Sequence, residues 1–179
     1  MIKNAIKHLI TITKHKWYVL ILCIRAGIPI RGLIHDLSKY SPTEFFESIK
    51  YFQGTRSPIT KCKELNGYSK AWLHHKGRNK HHYEYWYDYD APVQKPIIPY
   101  KYTVEMICDN LAAGIVYNGK QWTNGTQLTY FDRVRKKERM NENIEKLLLD
   151  VYTQISEKGI KKVVKKKILK ELYNKYCSI

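Results

Sequence analysis

Apolar positions along this chain recur every three or four residues, the period of an amphipathic helix, and no stretch shows the alternation of a strand. In residues 2–26, Ile2, Ile6, Leu9, Ile10, Trp17, Leu20, Ile21 and Ile24 fall at helical spacing, and Gly27 and Pro29 end the run. Ile12, Val19 and Leu22 make a second apolar edge on the same helix, and His15 lies on it. Ile30, Leu33, Ile34 and Leu37 then fit i, i+3, i+4, i+7, which predicts a helix over residues 30–40 with a buried stripe. Ser41-Pro42-Thr43-Glu44 reads as a capping box opening a helix that carries Phe45, Phe46, Ile49 and Phe52 and stops at Gly54.

Residues 54–67 read as a polar loop. Residues 69–87 read as a short helix, a turn with Asn79 as cap, and a second helix. Residues 88–99, with three prolines, form a loop, and residues 100–117 a strongly apolar helix bearing Tyr102, Met106, Ile107, Leu111 and Val116. Beyond two Asn-Gly turns, helices are expected over residues 127–140, 142–157 and 160–176. The last places Ile160, Val163, Val164, Ile168, Leu169 and Leu172 on one side and lysines on the other. The expected fold class is all-α.

A length of 179 residues suits one domain with a real core. Charge changes the picture more: 32 Lys and Arg against 16 Asp and Glu leave +16, a surface that attracts nucleic acid, nucleotides or anionic lipid. The lysine face of the last helix is either simply solvated or part of such a contact. Four scattered cysteines without a CxxC argue against a disulfide framework and for a reducing compartment. No apolar run is long enough to span a bilayer, and the run at residues 17–24 ends at Arg25 without a cleavage site. A cytoplasmic protein is expected.

Candidate chemistry centres on GLIHDLSK, residues 32–39. His35 and Asp36 are adjacent, so on a helix they point about 100° apart and bracket one point only at the edge of the core. An ion there would be held by one nitrogen and one oxygen. Lys39 follows at four and three residues and projects from the same face. Four of the seven histidines, His74, His75, His81 and His82, fall in one aromatic-rich segment. Asp109 sits in the most apolar helix, where a carboxylate is costly to bury without a partner; it lies either on a solvent edge beside Glu105 or inward, facing a cation. The candidate ligands are His15, His35, Asp36, His75, His81, His82 and Asp109. They exceed the needs of one tetrahedral ion and suffice for two, with Zn, Mn, Fe or Ni as the divalent metal.

That order of ligands on a helical chain resembles the HD-domain superfamily of metal-dependent phosphohydrolases. HDLSK is similar to the HDIGK element of the HD-GYP branch. HKGRNKHHYE, residues 75–84, resembles the H-x3-N-x-HH-x-E segment of a small uncharacterised bacterial and phage family near the HD proteins, and the likeness covers most of residues 8–120. The resemblance implies a compact HD-like helical bundle, with residues 1–120 as its metal-binding core and residues 121–179 as a C-terminal helical extension packed on the same domain. It implies His15, His35, Asp36 and Asp109 as the principal metal set. Asp36 would bridge two ions, His75 with His81 or His82 would complete the second, and Lys39 would meet substrate phosphate. No GYP follows, so cyclic dinucleotide hydrolysis is not implied.

The expected activity is hydrolysis of a nucleotide or other phosphate ester, with Lys39 and Arg78 neutralising phosphate charge and Glu84 orienting a ligand or acting as base. The expected partner is a phosphate-containing small molecule or nucleic acid. Two other classes compete: a diiron oxygenase using the additional histidines, and a non-catalytic basic nucleic-acid-binding protein whose histidines are structural.

Overall fold

The computed structural model describes residues 2–135 and 140–178, and the chain is all-α. Among the described residues there are ten α-helices, three short 3-10 turns and no strand. The helices are α1 (Ile2–Arg25), α2 (Pro29–Ile34), α3 (Pro42–Tyr51), α4 (Pro58–Asn66), α5 (Lys70–Arg78), α6 (Tyr100–Asn118), α7 (Thr126–Arg135), α8 (Glu142–Lys158), α9 (Ile160–Val163) and α10 (Lys166–Cys177). Every residue of α6 from Thr103 to Asp109 is buried, as befits a helix apolar nearly all round. α1 packs along it, α3 packs on α4 and α5, and α7 and α10 pack on α8. One apolar cluster joins Val19 of α1, Leu111 of α6, Val151 of α8 and Leu169 of α10, so residues beyond 120 share the core of those before it.

α1 turns inward the edge carrying His8, Ile12, His15, Val19 and Leu22, not the longer stripe through Ile6, Ile10, Trp17 and Ile24, which is exposed. That inward edge brings Val19, Leu22, Cys23 and Ala26 into the core cluster and sets His15 Nε2 2.9 Å from Asp109 Oδ1 of α6.

The helix expected over residues 30–40 is also corrected. α2 ends at Ile34, and a 3-10 turn (Leu37–Tyr40) follows His35 and Asp36. Its supposed buried stripe is exposed, Ile30 at 72% and Leu33 at 60%. Gly32 faces α1 instead: a Cβ there would lie 2.7 Å from Cys23 Cβ and 3.0 Å from Leu20 Cα. Lys16 Nζ donates to the carbonyls of Leu33 and His35 at 2.7 and 2.8 Å, satisfying the end of α2 with a cation.

Other boundaries move for local reasons. α4 occupies the expected loop over residues 54–67, held by only two buried positions, Pro58 and Cys62. α5 starts at the Ser69 cap, whose Oγ accepts from Trp72 N, but only a 3-10 turn (Tyr83–Trp86) stands where a second helix was expected. The helix expected over residues 160–176 breaks into α9 and α10 at Val164 and Lys165. That expected over residues 127–140 is α7, and its residues 136–139 lie outside the described residues. All four cysteines are free and buried. Among the described residues, no helix is long and apolar enough to cross a membrane.

Helix propensity alone favours Ala over Gly at position 32 by about 1 kcal/mol. The close approach of α1 reverses that sign, because neither a Cβ nor a backbone atom can swing away. Gly32→Ala is expected to lose about 1–3 kcal/mol in urea denaturation. A variant as stable as the wild type would show that α1 and α2 separate at little cost.

Candidate metal centre

The site begins with a backbone turn. Asp36 has φ +51°, the only positive φ at a non-glycine among the described residues. Asp tolerates the left-handed region better than most residues, at a cost on the order of 1 kcal/mol. The turn brings two adjacent side chains to one point, which a continuous helix would forbid: His35 Nε2 lies 3.2 Å from Asp36 Oδ2. Lys39, on the following 3-10 turn, places Nζ 2.6 Å from the same oxygen.

Two groups of ligand atoms meet at Asp36. His15 from α1 and Asp109 from α6 join His35 and Asp36 in the first, with His15 Nε2 2.9 Å and His35 Nε2 3.5 Å from Asp109 Oδ1. His75 from the end of α5 joins His81 and His82 from the turn after it in the second. There His75 Nε2 and His81 Nε2 lie 3.4 and 3.5 Å from Asp36 Oδ1, and His75 Nε2 lies 2.9 Å from His82 Nε2. Within each group the ligand atoms lie within 4.8 Å of one another. Both His81 and His82 take part, where one was expected. Asp109 points inward from α6 and is 9% exposed.

The residues fit a divalent cation by their own shortcomings. His35 Nε2, His81 Nε2 and both Asp36 oxygens are buried and close together, yet none is aligned for a hydrogen bond among the described residues. Asp36 Oδ2 has the Lys39 ammonium beside it, but a buried polar atom left without any partner costs about 1–3 kcal/mol, and a cation among His35 Nε2, His81 Nε2 and Asp36 Oδ1 would supply one.

The electrostatics agree. Burial opposes charge on His35, but Asp36, Asp109 and Glu105 overcome it and raise its pKa well above the ordinary value. Burial likewise opposes ionisation of Asp36 and Asp109, and neighbouring His35 and His15 hold these carboxyls well below the usual range. Burial pushes His15 and His82 down, toward the neutral form a metal needs. The carboxylates thus make the pocket hospitable to positive charge, while His15 and His82 stay disposed to the neutral form.

Two glutamates that the sequence reading gave other roles orient the ligands. Glu105, on α6, accepts from Arg31 at 2.6 and 2.7 Å and sits 3.0 Å from His35 Nδ1. It is fully buried, not on a solvent edge, and its spacing four residues before Asp109 is the signal that places both on one helix face. Glu44 makes half of the expected capping box, its N–H donating to Ser41 Oγ at 3.5 Å. Its carboxylate turns away to His74 and His75, at 2.7 and 2.8 Å, so the box pattern concealed a ligand-orienting group.

The remaining candidates divide. Lys39 lines a cavity of about 420 Å³ that contains atoms of both groups. Glu84 lines it too, with a buried Oε2 that has no hydrogen bond among the described residues, but it belongs to neither ligand group. Arg78 is exposed at the end of α5 and lines neither this cavity nor its neighbour, so it is not part of the site. His8 lies apart between Phe45 and Phe52, and burial lowers its pKa to about 4. A second cavity of about 550 Å³ adjoins the first, sharing Tyr117 and Tyr130 as walls.

A family model described as a family of unknown function, DUF5662, matches residues 4–154. The match contains every member of both ligand groups and continues past residue 120. No curated protein and no solved structure matches the chain.

Protein purified without a histidine tag is expected to carry a transition metal in elemental analysis, and Asp36→Ala to lose most of it. Glu105→Gln keeps all seven ligands but should weaken metal affinity about 10- to 100-fold. Arg78→Ala should leave it unchanged. Metal-free wild type that added Mn, Fe, Zn or Ni does not stabilise against heat would refute the site.

Proposed function

The chain belongs to this family of unknown function, and we propose that it is a metal-dependent phosphohydrolase acting on a nucleotide or other phosphate ester. The observation carrying this reading is an ammonium beside a carboxylate common to two ligand groups, at the wall of a cavity large enough for a substrate. The resemblance to HD-domain phosphohydrolases supports it. His15, His35, Asp36 and Asp109 would hold one divalent ion, and Asp36, His75, His81 and His82 a second. Such ions lower the pKa of bound water and polarise a phosphoryl oxygen.

The chain's own groups supply the rest. Burial works against the charge of Lys39, yet Asp36 and Asp109 raise its pKa above the ordinary value, so it stays an ammonium and meets phosphate oxygens as a donor. Glu84, whose buried Oε2 has no hydrogen bond among the described residues and which lines the cavity, would be the base that accepts a proton from a nucleophilic water. The faces of Tyr117 and Tyr130 offer stacking surface for a base where the two cavities meet. Free, buried thiols fit a reducing cytoplasm as the place of action. The five imidazoles of the two groups suit iron as they do zinc or nickel, which keeps an oxygenase as the second reading. Oxygen consumption without phosphate release would select it.

A screen of phosphate esters with metal-loaded protein tests the proposal, and Lys39→Met sharpens it. The methionine keeps much of the packing and removes only the charge. Turnover is expected to fall by roughly one to three orders of magnitude, with metal content and helicity retained. A fall in kcat alone would place the contact in the transition state, and a rise in KM alone in the ground state. Wild-type kinetics in this variant would remove Lys39 from the reaction.

A further inference from the structure

α1 carries two apolar stripes, and the core uses only one. His15 and Trp17 are about 200° apart around the helix, so the side opposite the metal centre presents Ile6, Ile10, Trp17, Ile21 and Ile24 to solvent, Trp17 at 61%. A second exposed row, Ile30, Leu33, Ile34 and Leu37, lies alongside. Thr13 Oγ1 stands 3.4 Å from Tyr40 Oη, and Gly32 abuts Leu20, which sets the segment from α2 to Tyr40 against the flank of α1. This face extends along a helix of 24 residues, roughly 36 Å. Soluble surfaces rarely leave so much contiguous apolar area without an occupant.

Charge around the face identifies the occupant. Asp36 is the only acidic residue among the first 43, against seven Lys and Arg, and it is buried in the site. Lys3, Lys7 and Lys14 are exposed along one margin of the α1 stripe. Arg25 Nη2 donates to the carbonyl of Lys161 at 2.9 Å, and Gly27 lies against the Lys166 side chain, so exposed Lys161, Lys162, Lys165 and Lys166 gather at the C-terminal end of α1. A second copy would set these cations against their like. Lipid headgroups of negative charge would match them, while acyl chains receive Ile, Leu and Trp side chains that offer no directional polar group for a protein partner to read.

We propose that α1, α2 and the lysines of the α9–α10 junction form a peripheral binding face for anionic membrane surfaces, with the metal centre on the far side of α1. This rests on surface geometry alone and stands or falls independently of the phosphohydrolase reading.

Co-sedimentation with vesicles of phosphatidylcholine, with and without phosphatidylglycerol, tests it. The full chain is expected to pellet with the anionic vesicles, less so as salt rises, and to remain in solution with neutral ones. Replacing Ile10, Trp17 and Ile24 by Ser should lower partitioning at least about tenfold, and Lys3→Glu with Lys7→Glu and Lys14→Glu by a similar factor. All six positions are exposed, so circular dichroism and the melting temperature should stay at wild-type values. Brominated lipid should quench tryptophan emission in the wild type and lose most of that effect in Trp17→Phe, which still binds. Absence of binding to anionic vesicles, or binding undiminished by the triple serine change, would overturn the proposal. So would a stable dimer that the same serine changes dissociate, which would assign the face to a second copy.

Discussion

The buried carboxylate of Asp36 dictates much of what surrounds it. It lies 2.6 Å from an ammonium and within 3.5 Å of three imidazole nitrogens, from His35, His75 and His81. A carboxylate this deep is tolerable only if cations or hydrogen-bond donors surround it. Meeting that demand explains why α2 is cut short, why the backbone turns left-handed at one residue, and why α5 ends where it delivers His75. It also explains the supporting carboxylates. Glu44 holds the imidazole approaching from α5, and Glu105 the one approaching from α2, with Arg31 compensating the latter. The network alternates sign from the surface inward, so removing one member leaves its neighbour buried and uncompensated.

Much of this was legible in the sequence, and the failures share a cause. The all-α class, the helices α3, α6 and α8, and all seven residues that the structure brings into the two ligand groups follow from period and residue type. Apolar period cannot say which of two stripes on a helix faces inward: on α1 two edges were legible and neither was assigned to the core, and on α2 the stripe expected to be buried is exposed. In α1 the inward edge has both a core of Val19, Leu22, Cys23 and Ala26 and a partner for His15, Asp109 from α6, and neither partner is visible in the period of α1 alone. In α2 the deciding factor was the absence of a side chain at Gly32, which lets two backbones approach. Arg78 was expected beside Lys39 as a cation for phosphate, but it is exposed at the end of α5 and lines neither cavity. Glu44 and Glu105 escaped because each satisfies an ordinary local pattern, a cap in one case and a polar edge in the other. α4 has too few buried positions to show a period at all.

α1 also ties chemistry to surface. One helix supplies a ligand inward, clamps the end of α2 through Lys16, and leaves its opposite side apolar. The apolar surface and the candidate metal centre therefore fall on different faces of one element, and substitutions on one face need not disturb the other. Linkage between the faces would have to pass through Lys16 or Gly32, the two points where α1 holds the backbone that shapes the Asp36 turn.

The pairing of His35 with Glu105 spans 70 residues. Loop closure over that distance is entropically costly and waits for both ends to exist. A ribosome releasing the chain from its N-terminus exposes His15, the His35-Asp36 turn and the histidine segment well before α6 arrives with Glu105 and Asp109. Until then Asp36 is the sole carboxylate of the two ligand groups, and the imidazoles have no fixed orientation. Neither ligand group can therefore reach its full geometry until α6 has emerged and packed on α1, so the two earlier helices and the histidine segment wait on a partner that is made after them.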